Sequence, residues 1–318
     1  MASAGTSSAG VGAPDAVSVP KVSAYRVSTI TTNGAVGAEL AIAPVFHNLP
    51  ILAADAPSTE DGFLFAEMML DGVLFRRGTN PRASRRRRKI KATAATATAK
   101  AKATASAVAA DAAQTQTLRF INQTTVVYRM GTQTPNIKIF ANGVLHMTGI
   151  KNVNAGSEIV DRIIDALRAI PHALRFPDAT LKNTDYVVRM INVDFKIDGW
   201  GINRDKLFSE LDASTHLKLV YEANTYQALK VHYYFNESSA VLDGCCSCHA
   251  ATDPTLKCEG KGKGVVATDC KRVTLAVFGT GKMMIIGASS MAQVDHVHAY
   301  AQRMIDEHFA AVRVPLRR

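Results

Sequence analysis

Hydrophobic and polar residues alternate in two segments that align with each other without a gap. The first is 137–149 (IKIFANGVLHMTG) and the second is 275–287 (LAVFGTGKMMIIG), at an offset of 138 residues. Each consists of two short alternating runs around Asn-Gly or Thr-Gly, a pattern typical of a β-hairpin. The sequence therefore predicts an internal repeat that contains two matching hairpins.

The same alternation assigns the residues of each hairpin to two sides. One side is wholly apolar, as expected for a face that packs under helices, and consists of Ile137, Ile139, Leu145 and Met147, then Leu275, Val277, Met283 and Ile285. The other side consists of Lys138, Phe140, Val144, His146 and Thr148, then Ala276, Phe278, Lys282, Met284 and Ile286. Exposed aromatic and aliphatic residues beside Lys and Thr indicate a surface that contacts a broad partner.

A helix is predicted after each hairpin. Ile159, Ile163 and Leu167 recur at helical spacing after the first, where Ser157 is a candidate N-cap. Val294 and Val297 begin a similar apolar stripe after the second. Each repeat is therefore predicted to contain a hairpin followed by a helix.

Composition divides the chain into a flexible Ala/Gly/Ser-rich leader at 1–22, a first repeat at 23–175 and a second repeat at 176–318. A basic low-complexity insertion at 76–117 interrupts the first repeat, and a Cys/Gly/Lys-rich insertion at 236–270 interrupts the second. The leader lacks the pattern of a secretory signal, and no apolar run reaches 18 residues. We therefore expect an intracellular protein without a membrane span.

The net charge of +10 is concentrated in one segment. Between Gly72 and Ala110 there are eleven basic residues and no acidic one, which leaves 26 basic against 27 acidic residues elsewhere. A charge run of this kind is commonly a solvated tail. It would also add sequence-independent attraction for phosphates, centred on a basic arm of Arg85, Arg86, Arg87, Arg88 and Lys89.

All five cysteines lie within one 26-residue window. In an intracellular chain such clustering indicates metal binding, because thiolates bind tetrahedral zinc and reducing conditions oppose disulfides. We expect Cys246, Cys248, Cys258 and Cys270 to be the ligands of a structural zinc ion, with Cys245 or His249 as alternates. Redox pairing and inert thiols are the alternatives.

The sequence contains no pattern that indicates catalysis. No Ser-His-Asp, paired-carboxylate or metal-hydrolase motif stands out. The glycines of 260–264 lack the spacing of a phosphate-binding loop. We expect a protein that is not an enzyme and has no small-molecule substrate.

The paired hairpins, each followed by a long helix, resemble the TATA-binding protein family, most closely its members from large nucleocytoplasmic DNA viruses. The motifs that carry this resemblance are 27–31 (VSTIT), 77–81 (RGTNP), 120–125 (FINQTT), 136–143 (NIKIFANG), 147–149 (MTG), 190–195 (MINVDF), 202–204 (INR), 258–264 (CEGKGKG) and 270–274 (CKRVT). The resemblance extends over residues 24 to 312, apart from the basic insertion.

This resemblance implies an α+β fold, a saddle of two pseudo-symmetric repeats that form one curved antiparallel sheet, with helices on the convex face. In the family, the concave face lies on a widened DNA minor groove, and phenylalanine wedges unstack the end steps. Carried over by motif, the implied DNA-binding residues are the wedges Phe140 and Phe278, the second-wedge candidates Tyr226 and Phe120, the hydroxyl of Thr148, the central Asn192, and Lys138, His146, Lys282, Met284 and Ile286.

The function implied is that of a DNA-binding transcription-initiation factor, with double-stranded DNA on the concave face and transcription proteins on the convex face. Its location would be the host nucleus, a viral factory or the virion. Ile286 replaces a threonine of the family, and His146 and Lys138 replace apolar residues, which bears on TATA preference more than on DNA binding. The alternative is a structural or packaging protein that retains the saddle.

Overall fold

The computed structural model describes residues 19–81, 122–214, 217–238, 243–246, 248, 258–266 and 269–316. The strands in these residues are β1 (Arg26–Ala35), β2 (Gly62–Leu70), β3 (Val73–Gly78), β4 (Gln123–Arg129), β5 (Asn136–Phe140), β6 (Val144–Ile150), β7 (Thr184–Lys196), β8 (Trp200–Ile202), β9 (Lys218–Val220), β10 (Ala228–Phe235), β11 (Lys271–Phe278), β12 (Lys282–Ala288) and β13 (Arg313–Pro315). The helices are α1 (Ile42–Asn48), α2 (Ala155–Arg168), α3 (Arg204–Ser214) and α4 (Met291–Val312).

Eleven of the described strands form one antiparallel sheet in the order β3-β2-β4-β5-β6-β1-β7-β12-β11-β10-β9. The first strands of the two repeats, β1 and β7, pair with each other at the centre. Outward from this pair, both sides continue with the last strand of the repeat and then with successively earlier strands. The order is palindromic apart from β3, so the two predicted repeats form one pseudo-symmetric sheet.

The repeat is also visible in the backbone of the two hairpin turns. Gly143 and Gly281 have φ angles of 78° and 76°, a region that residues with a side chain rarely adopt. A Cβ atom at either position would lie 2.1 Å from a backbone carbonyl oxygen, that of Ala38 in the first repeat and that of Trp200 in the second. Both turns therefore require glycine for the same two reasons, and both predicted hairpins are confirmed.

One hydrophobic core lies on a single side of the sheet. The predicted apolar side of each hairpin is fully buried there. The same cluster contains one or more residues from every described helix, among them Phe46 of α1, Ile159 of α2, Leu207 of α3 and Val294 of α4. The helices therefore cover one face together, and the predicted α+β saddle is confirmed.

The two long helices begin differently. α4 follows Ser290, whose Oγ accepts a hydrogen bond from the Gln293 N–H at 3.3 Å. α2 begins at Ala155 without a side-chain cap, and Ser157 lies inside its first turn. The prediction that Ser157 caps α2 was wrong, because its hydroxyl accepts a hydrogen bond from Asn183 Nδ2 at 3.1 Å instead.

Two predicted boundaries fall on β-structure. Arg76 and Arg77, the start of the predicted basic insertion, belong to β3, and Val22, the end of the predicted leader, forms a bridge with Ile197. The basic arm, Arg85 to Lys89, lies outside the described residues.

Among the helices described, none has the length and apolar character needed to cross a membrane.

Candidate functional site

The face of the sheet opposite the core carries no described helix, and we call it the helix-free face. Its side chains come from the strand positions that alternate with the core positions. They include Thr29, Thr31 and Asn33 of β1; Gln123 and Thr125 of β4; Lys138 and Phe140 of β5; Val144, His146 and Thr148 of β6; Met190, Asn192 and Asp194 of β7; Lys230 and His232 of β10; Thr274, Ala276 and Phe278 of β11; and Lys282, Met284 and Ile286 of β12. All of the hairpin residues predicted for the second side are therefore brought together on one surface.

The two halves of this face differ in polarity. Residues that face one another across neighbouring strands form one row in each repeat. From the outer strand to the centre, the row of the first repeat is Thr125, Lys138, His146 and Asn33. The matching row of the second repeat is Lys230, Ala276, Met284 and Asp194. The first row is polar throughout, whereas the second has two apolar residues in its middle.

The centre of the helix-free face has matching hydrogen bonds on its two sides. Thr29 lies opposite Asn192, where β1 pairs with β7. Thr29 Oγ1 accepts a hydrogen bond from the Gly149 N–H at 3.1 Å, and Asn192 Oδ1 accepts one from the Gly287 N–H at 3.2 Å. Because Gly149 and Gly287 are repeat equivalents, the pseudo-twofold axis passes between Thr29 and Asn192. The predicted central residue thus lies at the centre.

At the outer end of the first half, Phe140 is half-buried and lies opposite Gln123. Gln123 is 8% exposed, and its Nε2 donates to Thr125 Oγ1 at 3.2 Å. Its Oε1 is buried without a hydrogen-bond partner. Phe120, the other wedge candidate of this half, lies outside the described residues.

At the outer end of the second half, two aromatic rings are in contact. Phe278 lies opposite Ala228, and its ring centroid is 6.0 Å from that of Tyr226 in an edge-on arrangement. Tyr226 is 36% exposed. Lys230 Nζ lies 4.5 Å from the centroid of the Tyr226 ring, which is a favourable cation–π distance. The two predicted aromatic residues of this half therefore form one cluster with a cation.

His146 is hydrogen-bonded to a neighbouring strand of its own half. With the Asn33 amide nitrogen toward the imidazole, that nitrogen donates to His146 Nδ1 at 2.9 Å and to the Thr32 carbonyl at 3.1 Å, and Asn33 Oδ1 accepts from Arg189 Nε at 3.3 Å. Burial, and secondarily the charge of Lys138, lowers the pKa of His146. The imidazole is therefore neutral at pH 7.

The balance of basic and acidic residues differs between the two faces of the sheet. On the helix-free face, Asp194 pairs with Arg26 at 3.0 Å, and Glu67 pairs with Arg76 at 3.5 Å. Further basic residues on or beside this face are Lys138, Arg189, Lys218, Lys230, Arg272 and Lys282. Three helices on the other face carry nine acidic residues against five basic ones. The acidic residues are Glu158, Asp161, Asp165, Asp205, Glu210, Asp212, Asp295, Asp306 and Glu307, and the basic ones are Arg162, Arg168, Arg204, Lys206 and Arg303. The charges outside the basic segment nearly cancel over the whole chain, but basic residues outnumber acidic ones on the helix-free face. This face is therefore suited to an anionic partner.

His232 is surrounded by positive charge near the β9 edge of this face. Burial, followed by the charges of Arg272, Lys218 and Lys230, lowers its pKa to about 4. Its Nδ1 is buried without a hydrogen-bond partner. The imidazole is neutral at physiological pH.

The second insertion brings four cysteines together. The Sγ atoms of Cys246, Cys248, Cys258 and Cys270 all lie within 4.8 Å of one another. The Sγ atom of Cys246 is 3.8 Å from that of Cys270 and 3.1 Å from that of Cys248. Zinc–sulfur bonds of about 2.3 Å in a tetrahedron place sulfurs about 3.8 Å apart, so the four thiols could bind a metal ion.

The surroundings of these sulfurs suit thiolate ligands. The Gly260 N–H donates to Cys258 Sγ at 3.3 Å, and Asn236 Nδ2 lies 3.8 Å from Cys270 Sγ. Donors of this kind stabilise metal-bound thiolates. Burial by itself raises the pKa values of the Cys246 and Cys248 thiols and so opposes thiolate formation. A bound cation would have to offset this cost.

Of the two alternate ligands, Cys245 is not part of the group. Cys245 packs at the margin of the hydrophobic core, and its N–H donates to Asp243 Oδ1 at 2.8 Å. His249 lies outside the described residues.

The insertion also covers an edge of the sheet. β9 pairs with β10 only over Lys230–His232. Two residues further on, the Tyr234 N–H donates to the Gly244 carbonyl at 2.8 Å. On the helix side, Gln293 of α4 donates through Nε2 to the Lys263 carbonyl at 2.9 Å. The cysteine group therefore joins chain segments that contact both the β10 edge and α4.

Several residues of the site were not predicted. Gln123 lies opposite Phe140, and Asn33 lies opposite His146, only through the register of strands distant in sequence. Arg189 in turn contacts Asn33 from another strand. His232 lies in an alternating run, 228–235 (ALKVHYYF), that could have assigned it to the helix-free face. An alternating pattern predicts the face of the sheet on which a residue lies, but it does not predict which residues of other strands lie next to it.

Comparison with known proteins gives two similarities. A TATA-box-binding protein-like protein of Acanthamoeba polyphaga mimivirus is 26% identical over an alignment of 211 residues, and the match covers 62% of this chain and 51% of the relative. The chain thus matches about half the length of that relative. This match confirms the resemblance to viral TATA-binding-protein-like proteins. No family model matches the chain.

Among solved structures, Methanococcus jannaschii TBP aligns with 89% of this chain and 98% of its own, at 12% identity and a TM-score of 0.44.

Proposed function

We propose that this chain, which resembles the viral TATA-binding-protein-like proteins, is a transcription-initiation factor that binds double-stranded DNA with its helix-free face. The observation that carries the proposal is the position of Phe140 and Phe278. They are repeat equivalents, they lie toward opposite ends of one pseudo-symmetric sheet, and both are on the face without a described helix. The proposal involves no catalytic step.

The minor groove is the proposed target because of shape and chemistry. Strands of five to seven residues, such as β5 and β6, are about 17 to 23 Å long. They cannot enter a minor groove about 6 Å wide unless it opens. Apolar side chains inserted between base steps open and bend the groove in this way. We therefore assign the wedge role to Phe140 and Phe278, with Tyr226 supporting Phe278.

The distribution of charge also favours the helix-free face as the DNA-binding surface. Lys138, Lys230 and Lys282 lie on the helix-free face, where they can reach phosphates at the groove walls. The basic arm adds sequence-independent affinity. The acidic helix face would repel DNA and is therefore the proposed surface for transcription proteins, in the host nucleus, a viral factory or the virion.

We also propose that Cys246, Cys248, Cys258 and Cys270 bind one structural zinc ion. Four thiols within 4.8 Å of one another match the tetrahedral donor set that zinc prefers. The ion would fix the second insertion against the β10 edge and α4, since this insertion is too short for a core of its own.

Charge reversal on the two faces tests the DNA-binding proposal. Lys230→Glu with Lys282→Glu alters the helix-free face, and Arg162→Glu with Arg168→Glu makes the same charge change on α2. The first pair should weaken binding to a duplex at least about tenfold and lower its salt dependence, because phosphate contacts are lost. The helix pair should remain within about threefold of the unmodified chain.

Thermal unfolding of both variants serves as the folding control. Equal losses from the two pairs would contradict the assigned face. A chain that binds no duplex at low salt would contradict DNA binding, and the structural or packaging role would then be favoured.

A further inference from the structure

We infer that the outer edge of β3 is a dimerisation surface, which pairs antiparallel with the β3 strand of a second copy of this chain. The two sheets join into one sheet, with a twofold axis at Leu74. Dimerisation of this kind goes beyond DNA binding and does not depend on it, because β3 lies outside the strands that carry Phe140 and Phe278.

The two strands that end the sheet differ in how well they are protected. β3 has six residues and no described counterpart in the second repeat, and no described strand pairs with its outer side. β9, at the opposite end, has three residues, of which Lys218 is exposed. Short length and exposed charge are common means of protecting a sheet edge from pairing. β9 has both, whereas β3 is long enough to pair with another strand.

The backbone of β3 offers hydrogen bonds to a new strand. The turn residues Asp71 and Gly72 have φ angles of 48° and 77°, as in a two-residue hairpin whose flanking residues bond to each other. In the same alternation, the Thr79 N–H donates to the Leu64 carbonyl at 2.9 Å. Odd-numbered residues of β3 therefore bond toward β2, and even-numbered residues such as Leu74 direct their N–H and C=O groups outward.

The side chains at this edge form an exposed apolar patch. Leu70, Val73 and Phe75 are 40%, 55% and 40% exposed. Leu70 lies opposite Val73, and Phe75 lies opposite Met68 of the hydrophobic core, so all three are on the side of the sheet that carries the helices. A contiguous apolar patch indicates a protein interaction site, whereas single exposed apolar residues do not.

The two arginines of β3 do not protect this edge, because both are held within the chain. Arg76 forms a salt bridge with Glu67 on the helix-free face at 3.5 Å. Arg77 donates through Nη1 to the Phe46 carbonyl beside α1. A guanidinium group has five N–H donors, so Arg77 can still bind a carboxylate of a partner.

Self-complementarity identifies the partner as a second copy. With the twofold axis at Leu74, Val73 of each copy lies opposite Phe75 of the other, and the two Leu74 side chains meet on the opposite side of the sheet. The same register brings Asp71, in the hairpin turn, toward Arg77 of the second copy. Apolar side chains thus pair in the middle, and opposite charges meet at both ends.

The neighbouring registers lack this complementarity. With the axis at Phe75, Val73 would lie opposite Arg77. With the axis at Arg76, two guanidinium groups would face each other, and like charges directly opposite are destabilising. An axis between two residues would place an outward-bonding residue opposite one that bonds toward β2. Because the twofold axis uses the β3 edge of both copies, the assembly closes as a dimer and does not extend into a filament.

Sedimentation equilibrium of the full chain tests the dimer. A single strand pair is a small interface, so the average mass should rise from one chain toward two between about 1 and 100 µM. Val73→Lys with Phe75→Lys should weaken dimerisation at least about tenfold, because lysines of the two copies face each other. Val314→Lys with Leu316→Lys makes the same charge change at two other exposed apolar positions and should leave dimerisation unchanged.

Single cysteine substitutions test the register. Leu74→Cys places the thiols of the two copies directly opposite, at a Cα separation of about 5.5 Å, which permits a disulfide. Phe75→Cys faces Val73 instead. After mild oxidation, non-reducing electrophoresis should show a covalent dimer for Leu74→Cys and little for Phe75→Cys. The unmodified chain, with its five native cysteines, gives the background, and thermal unfolding checks that each variant folds.

A chain that remains monomeric at about 100 µM would overturn the inference. Dimerisation that persists in the Val73→Lys, Phe75→Lys variant would also overturn it, as would cross-linking that favours Phe75→Cys over Leu74→Cys. None of these results alters the proposed DNA binding, which the charge-reversal variants test separately.

Discussion

At the scale of single residues, the alternating pattern decides whether Phe140 and Phe278 lie in the core or on the opposite face of the sheet. Their neighbours Ile139 and Val277 are fully buried in the core, whereas both phenylalanines are half-buried on the other side of the sheet. A core position for either phenylalanine is therefore excluded.

We expect Phe140→Ala combined with Phe278→Ala to reduce DNA bending strongly while leaving the chain folded, because neither ring belongs to the main hydrophobic cluster. Bends produced by wedges of this kind are about 80°. Fluorescence transfer between the ends of a labelled duplex measures the bend. Phe46→Ala, a substitution of a buried core ring, is the control and should lower stability instead. Unchanged bending by the double variant would contradict the wedge assignment.

His232 should make stability depend on pH. Its pKa is about 4 in the folded chain and about 6.5 when unfolded. The unfolded chain therefore binds a proton first as pH falls. The stability contributed by neutral His232 is present above pH 6.5 and is lost as pH falls toward 4. His146, whose pKa is also lowered, acts in the same direction.

We expect His232→Gln to flatten the change in urea midpoint between pH 6.5 and 5 without abolishing it. His47→Gln, at an exposed position on α1, is the matched control for the loss of an imidazole. A His232→Gln chain with the same slope as the unmodified chain would contradict this account.

At the scale of elements, the sequence predicted the structures that depend on residues close together in the chain. Both hairpins and both long helices follow from periodicity and turn residues within about 40 positions. The start of α2 was mispredicted because Asn183, a residue 26 positions away, bonds to Ser157. β3 was missed because its basic residues resemble the low-complexity segment that follows them. The partners of Gln123 and His146 were not predictable, since they depend on register between distant strands.

Removal of zinc should loosen only the second insertion, 236–270. Purified protein should contain about one zinc ion per chain by elemental analysis. Cys258→Ser should abolish this content, whereas Cys245→Ser should retain it, because Cys245 lies outside the sulfur group. After chelation, protease should cut near Gly260–Gly264 while the β11–β12 hairpin remains protected.

Zinc content that survives Cys258→Ser would contradict the ligand set. A metal-free preparation with a protease-resistant insertion would leave a disulfide as the alternative, which mass analysis without reductant would detect.

At the scale of the whole molecule, the palindromic strand order creates properties that no segment has alone. It brings residues 138 positions apart to equivalent sites around Thr29 and Asn192. It also gives the two faces different charge balances, because basic residues outnumber acidic ones on the helix-free face and acidic residues outnumber basic ones on the helices. Net charge alone could not reveal this, because the charges outside the basic segment nearly cancel.

The central claim is that the helix-free face binds the minor groove, and methylation interference tests it most directly. Methyl groups on adenine N3 lie in the minor groove, and those on guanine N7 lie in the major groove. A duplex partially methylated at both atoms is bound, the free and bound fractions are separated, and the modified positions are compared. The account predicts that adenine N3 methylation is depleted from the bound fraction over about one turn of DNA, with guanine N7 methylation unaffected. Depletion of guanine N7 methylation alone would contradict it.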